Sequence, residues 1–316
     1  MKTQPQPGLR RRYAGYAWAV LAYTEAVILW GAYVRVAGAG SGCGASWPLC
    51  DGQFLPHAPQ LKMLIEFFHR VSSGVDGIAI LVLLAGALWL YPRRDRVRRA
   101  AGWALVFLAT EALLGAALVL FGWVGTNAST ARVVADAVHL TNTLLLLAAV
   151  GLTAAFASGL KSGLWQRSVG FGLAGVVITA AFGVMAALAD TLYPATSLAA
   201  GMGRDFSAAA PGLVRLRALH PLVAVVVGLY LLYLVVNGPA PRCAVGRRLG
   251  YAVAAAVGAQ WGTGALDLLR LTPPSLQVIH LLTADCLWLL LVLYAAALAG
   301  EGASVTARPP AYAQSC

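Results

Sequence analysis

Four histidines set the chemistry open to this chain. His69, His139, His220 and His280 lie within long apolar runs, and each follows a polar residue by three positions: Glu66, Asp136, Arg217 and Gln277. A polar side chain is costly inside a bilayer, so one that recurs at a matched depth points to function. Neutral imidazole is a common axial ligand of haem iron, and two imidazoles from parallel helices can face one iron from opposite sides. Interhelical hydrogen bonds, at ~0.6 kcal/mol each, give no reason for four histidines at one level. Pairing within each half joins His69 to His139 and His220 to His280. A di-iron carboxylate site needs two Glu-x-x-His motifs and two further glutamates, and Glu66-x-x-His69 is the sole such motif.

The two pairs differ in their neighbours. Glu66 and Asp136, with Asp76 further along, give the first pair carboxylates. One turn from an iron ligand, a carboxylate can move protons or stabilise positive charge during oxidation. Arg217 and Gln277 accompany the second pair, and an electron-transfer haem needs no carboxylate. Arg35, Arg70, Arg215 and Arg217 gather near the same helix ends. Their forks suit the propionates of haem, although snorkelling to the interface would place them there equally well. Cys43 and Cys50 share a turn-rich loop on an oxidising side and are expected to form a disulfide, structural or redox-active. His57 alone does not make that loop a zinc site. Cys243, Cys286 and Cys316 lie away from it.

These residues need helices to position them. Of 316 residues, 59% are hydrophobic and 11% charged, against roughly 25% charged in soluble domains. Eight runs are long enough to cross a hydrocarbon core of ~30 Å: Tyr13–Val36, Leu61–Tyr91, Ala100–Val124, Val133–Ser158, Val169–Asp190, Gly212–Val236, Leu249–Leu269 and Ser275–Gly300. An all-α polytopic membrane protein follows, and the first run is too long for a signal-peptide core. Lys2, Arg10, Arg11, Arg12, the five arginines of the loop at 92–99, Lys161, Arg167, Arg242, Arg247, Arg248 and Arg308 all fall on one side. The positive-inside rule assigns that side, with both termini, to the cytoplasm. The net charge of +11 is thereby explained without nucleic acid. All four histidine helices then run the same way. Thr24-Glu25 and Thr110-Glu111 precede glycines, and Gln260 with Gly264 holds a comparable place. The chain reads as two pseudo-repeated four-helix bundles, residues 1–160 and 161–316, related by an axis along the membrane normal.

Gly31-Ala32-Tyr33-Val34-Arg35 leads into a glycine-rich loop with two cysteines and Trp47-Pro48. With Glu66-Phe67-Phe68-His69-Arg70, His220-Pro221 and Gln277-x-x-His280-Leu281, it resembles the haem A synthases over nearly the whole chain. That family's first loop usually has Leu before the first cysteine and Pro-Asp after it, where Gly42 and Gly44-Ala45-Ser46 stand in this chain. Loop 191–211 lacks the second cysteine pair of some members. The resemblance implies an oxidoreductase of the cell membrane that converts the C8 methyl of haem O to a formyl, giving haem A for terminal oxidases. It implies haem b as cofactor on His220 and His280, and haem O beside His69, His139 and Arg70. Glu66 becomes the catalytic residue, Arg35 and Arg217 serve the propionates, and Cys43–Cys50 becomes the loop disulfide. Its expected partners are a haem O synthase, membrane lipid and an electron acceptor that the sequence does not name. The competing readings are a di-haem b-type cytochrome taking electrons from quinol, and a transporter with helices broken at the midplane.

Overall fold

The computed structural model describes residues 7–161, 166–238 and 244–302; Lys2, Arg242, Cys243, Arg308 and Cys316 lie outside them. Among the described residues the regular elements are all helical: α1 (Pro7–Val36), α2 (Leu61–Leu90), α3 (Arg96–Leu120), α4 (Thr130–Ala157), α5 (Arg167–Leu192), α6 (Leu198–Asp205), α7 (Gly212–Arg217), α8 (Leu219–Asn237), α9 (Ala244–Leu269) and α10 (Pro274–Gly302). Seven segments are long and apolar enough to cross a membrane: α1 to α5, α7 with α8, and α10. The eighth expected span, α9, has 26 residues, about 39 Å of helix. Arg247, Arg248, Gln260 and Asp267 dilute its apolar content, yet it packs between α8 and α10 as a full member of the bundle.

Local chemistry sets the ends. Asp95 caps α3 by accepting from the Val97 N–H at 2.9 Å, and Ser129 caps α4 by accepting from the Arg132 N–H at 3.3 Å, which satisfies donors that a helix start leaves open. The sixth span is interrupted at Ala218, between α7 and α8. Pro221 is the cause: it has no N–H for the Arg217 carbonyl, and its ring crowds that position. The interruption lies beside His220 near the helix end, not at the midplane where a transporter would place it.

Helices α1, α2, α3 and α4 close one ring, α5, α8, α9 and α10 close a second, and the rings meet where α1 and α4 pack on α5 and α10. The spanning stretch of α4 is 61% buried and that of α10 is 56%, against 11% for α3. The apolar faces of α3 (Trp103, Leu113, Leu120) are exposed, as lipid contact requires. Within lipid the hydrophobic effect does not join helices, so close packing and polar contacts must. Trp288 donates to the Leu144 carbonyl at 2.7 Å across the seam from α10 to α4. Along α1, Tyr13, Tyr16, Tyr23 and Trp30 each donate to a carbonyl of α2, at Leu83, Ala79, Ser72 and Ile65.

Candidate haem site

All four histidines are half-buried near one end of the bundle, on α2, α4, α8 and α10. Each ring packs against a glycine of the helix before it. A Cβ on Gly31 would stand 2.8 Å from His69 Cε1, on Gly183 3.0 Å from His220 Cε1, and on Gly264 2.9 Å from His280 Cε1, while at Gly115 the distance to His139 Cε1 is 4.0 Å. The repeat is therefore a glycine seat under an imidazole, used four times. In the sequence Thr179 stands four residues before Gly183, as Gln260 does before Gly264.

The second pair converges. The rings of His220 and His280 have centroids 6.2 Å apart with an interplanar angle of 83°. Two metal–imidazole bonds of ~2 Å each, placed end to end, set ring centres roughly 6 Å apart. The outer nitrogens are anchored as ligand imidazoles require. His220 Nδ1 lies 3.2 Å from the Thr179 carbonyl, which only accepts, so this nitrogen carries the proton and Nε2 keeps its lone pair. His280 Nδ1 lies 3.1 Å from Thr263 Oγ1, and its Nε2 lies 3.2 Å from the Gln260 amide nitrogen, a donor to that lone pair. The Gln260 amide holds the His280 lone pair that an iron would take, so these residues fit an iron on two imidazoles once that side chain turns away.

The first pair is held more loosely. His139 lies within electrostatic reach of His69. His139 Nδ1 is 3.5 Å from Glu111 Oε1, whose carboxylate already accepts from Asn142 and Thr143. His69 Nδ1 is buried with no hydrogen-bond partner among the described residues. Four residues before their glycines, Glu111 and Gln260 bring side chains to His139 and His280, and Thr179 brings its backbone carbonyl to His220.

The polar residues three before each histidine tie loops to helix ends. Glu66, 3% exposed, accepts from the Cys43 N–H at 2.9 Å and pairs with Arg70 at 2.5 Å. Arg70 continues to the carbonyls of Ser46 (2.7 Å) and Leu49 (2.6 Å). The Cys43–Cys50 disulfide forms as expected, and its loop is latched to the His69 helix by these two side chains. Gly42 fits this contact, since a Cβ there would stand 2.5 Å from the Lys62 carbonyl oxygen, which excludes the usual Leu of the resembled family. Asp136 is 3.6 Å from Arg132, which donates to the Gly125 and Asn127 carbonyls. Gln277 donates to the Thr272 carbonyl at 2.8 Å.

Arg217 donates to Asp190 at 2.7 Å and, from two nitrogens, to Asp205. Arg70 and Arg217, expected at substrate or cofactor carboxylates, thus commit their guanidinium groups to the protein itself. Arg35 differs. Its Nη1 is buried without a hydrogen-bond partner among the described residues, which suits an anionic propionate. Breaking the Arg217 cluster leaves two largely buried carboxylates unpaired, so Arg217→Leu is expected to cost ~3–5 kcal/mol. The drop should appear in the detergent unfolding midpoint, and adding Asp205→Asn should restore part of it.

Among the described residues no group of three or more His, Cys, Asp or Glu could hold a bare metal ion; two histidines per site match a metal that brings its own macrocycle. A protein of Thermus thermophilus named protoheme IX farnesyltransferase is 44% identical over 305 residues, covering 92% of this chain and 49% of that protein. The chain thus spans about half the length of that relative. Proteins named haem A synthase are similar over shorter stretches: 39% identical over 99 residues in Alkalihalophilus pseudofirmus (30% of this chain, 32% of that one), and 43% over 97 residues in Bacillus mycoides (30% and 31%). The profile of the cytochrome oxidase assembly protein family, COX15-CtaA, matches residues 14–292, and the chain belongs to that family.

Proposed function

We propose that this chain is a haem A synthase, which oxidises the C8 methyl of haem O to the formyl of haem A. The observation that carries the reading is the contrast between the two histidine pairs. His220 and His280 face each other with both outer nitrogens anchored, as suits a resident haem b. His69, with its Nδ1 unpartnered, and His139 suit a haem that must arrive and leave. The family match and the relatives named haem A synthase support the same reading.

Bound between His220 and His280, haem b would supply one-electron redox chemistry. The rest is done by the chain. His69 and His139 orient haem O, and Arg35 offers its free guanidinium nitrogen to a propionate. The Cys43–Cys50 loop covers the site and excludes water. The Glu66 carboxylate, held by Arg70 and the Cys43 N–H, places negative charge one turn from His69, where positive charge develops during oxidation. Residues 1–160 then form the substrate bundle and residues 161–316 the cofactor bundle. The basic helix ends face the cytoplasm and the histidine ends face outward from the cell membrane.

The Thermus relative points to a partner. About half of that protein lies outside the region matching this chain, and its name denotes farnesyl transfer to protohaem. We infer that this chain works with a haem O synthase activity as the source of its haem O. The test is pigment extraction from cells that make this chain together with a haem O supply. Haem A is expected in the chromatogram, absent without the chain. Two bound haems with a reversible redox titration and no haem A would identify an electron-carrying cytochrome instead.

A further inference from the structure

Two carboxyl groups meet inside the seam between the bundles. Glu25 on α1 and Asp285 on α10 come within hydrogen-bond reach of each other. Asp285 is 1% exposed, and neither carboxylate has another hydrogen-bond partner among the described residues. The described ion pairs include neither. Cys286 on α10 also lies close to both. Thr24, next to Glu25, donates to the buried Asp76 of α2 at 2.8 Å.

The depth of this pair is the same from both helices. Glu25 lies six residues before Gly31, the seat of His69, or about 9 Å along α1. Asp285 lies five residues beyond His280, or about 8 Å along α10. The carboxyls therefore stand one layer deeper than the histidine rings, on the boundary between the two pairs.

Two carboxylates in contact, in a medium of low dielectric and without a cation, cannot both remain ionised. They titrate as a unit. A purely structural link would need one acid and a hydroxyl, which is how Thr24 meets Asp76. Two acids add a site where a proton can be gained or lost.

We propose that Glu25 and Asp285 share one proton, take up a second when an electron enters either histidine-bounded site, and release it when the electron leaves. The electron would come from a one-electron reductant and be held by the haem that the histidine pair would bind. The proton comes from water, and the only bond made or broken is O–H. The pair thereby balances charge for both sites from a position between them. This inference rests on the two-haem reading.

Infrared difference spectra between reduced and oxidised haem-loaded protein test it. A carboxylic-acid C=O band that shifts in D2O is expected in the wild type. It should be lost in both Glu25→Gln and Asp285→Asn, with Soret intensity retained. A band that survives both substitutions, or no carboxyl band in the wild type, overturns the proposal. A second measurement needs no haem. Dicyclohexylcarbodiimide, which attacks protonated carboxyls in apolar surroundings, should modify Glu25 or Asp285 at neutral pH about tenfold faster than the exposed Asp51. Equal or slower modification counts against a shared proton. Fast modification in a protein that binds no haem would sink the two-haem reading and leave the shared proton standing.

Discussion

Glu66→Gln is expected to abolish the proposed conversion of haem O to haem A while leaving a haem on His220 and His280 in place. Glu66 accepts from the Cys43 N–H through one oxygen and from Arg70 through the other. Glutamine keeps the shape but offers one acceptor, so its NH2 must face either the Cys43 N–H or the Arg70 guanidinium, donor against donor. The negative charge one turn from His69 disappears as well. Loss of one preorganised electrostatic group of this kind costs on the order of 10²–10³ in rate. The measurement is the haem A to haem O ratio after chromatography, beside the visible spectrum of the purified protein. His220 and His280 lie in the other ring of helices, so their spectrum should match wild type; its loss would make Glu66 a structural residue. A control separates charge from latch. Cys43→Ser with Cys50→Ser loosens the loop but keeps the carboxylate, and should retain measurable conversion where Glu66→Gln retains none.

The helices and the common depth of the histidines follow from run length and spacing, because bilayer thickness leaves little freedom in either. Side-chain partnerships were less legible, for a physical reason. Arg217 reads as a propionate ligand when only its distance from His220 is considered. Its partners within the protein, Asp190 and Asp205, come from α5 and α6 and meet it only after the chain folds back. Glu25 and Asp285 are separated by most of the chain and join across a seam that no local pattern announces. Gly264 stood out because Gln260 precedes it by four. Gly183 did not, since the group serving its histidine is the backbone carbonyl of Thr179, and a carbonyl leaves no mark on residue type. The weaker apolar character of α9 was visible in its arginines, glutamine and aspartate, yet its length still served to place it in the bundle.

Gly264→Ala and Gly183→Ala should each strip haem from the second site, while Gly115→Ala should change almost nothing. The contrast rests on distance. A methyl group at 264 or 183 falls 2.9 or 3.0 Å from the Cε1 of its histidine, and at 115 it falls 4.0 Å away. The first two are inside contact distance, and what must yield is the imidazole, which turns on two side-chain torsions while the helix backbone stays fixed. Turning the ring breaks its bond to Thr263 or to the Thr179 carbonyl and disturbs the 6.2 Å spacing of the pair. Loss of an outer partner alone typically lowers metal affinity 10–100-fold, and a misdirected ring adds to that. Alanine is also the better helix former by about 1 kcal/mol, so lower haem content in a stably folded protein would separate ring displacement from unfolding. Gly31→Ala, with its methyl 2.8 Å from His69, should instead stop haem A formation and leave the second haem's spectrum intact. Haem content per protein and the low-spin electron paramagnetic resonance signal read all four variants. Full haem with an unchanged signal in Gly264→Ala would mean that the glycine does not set the ring, and that His280 is steered by its hydrogen bonds alone.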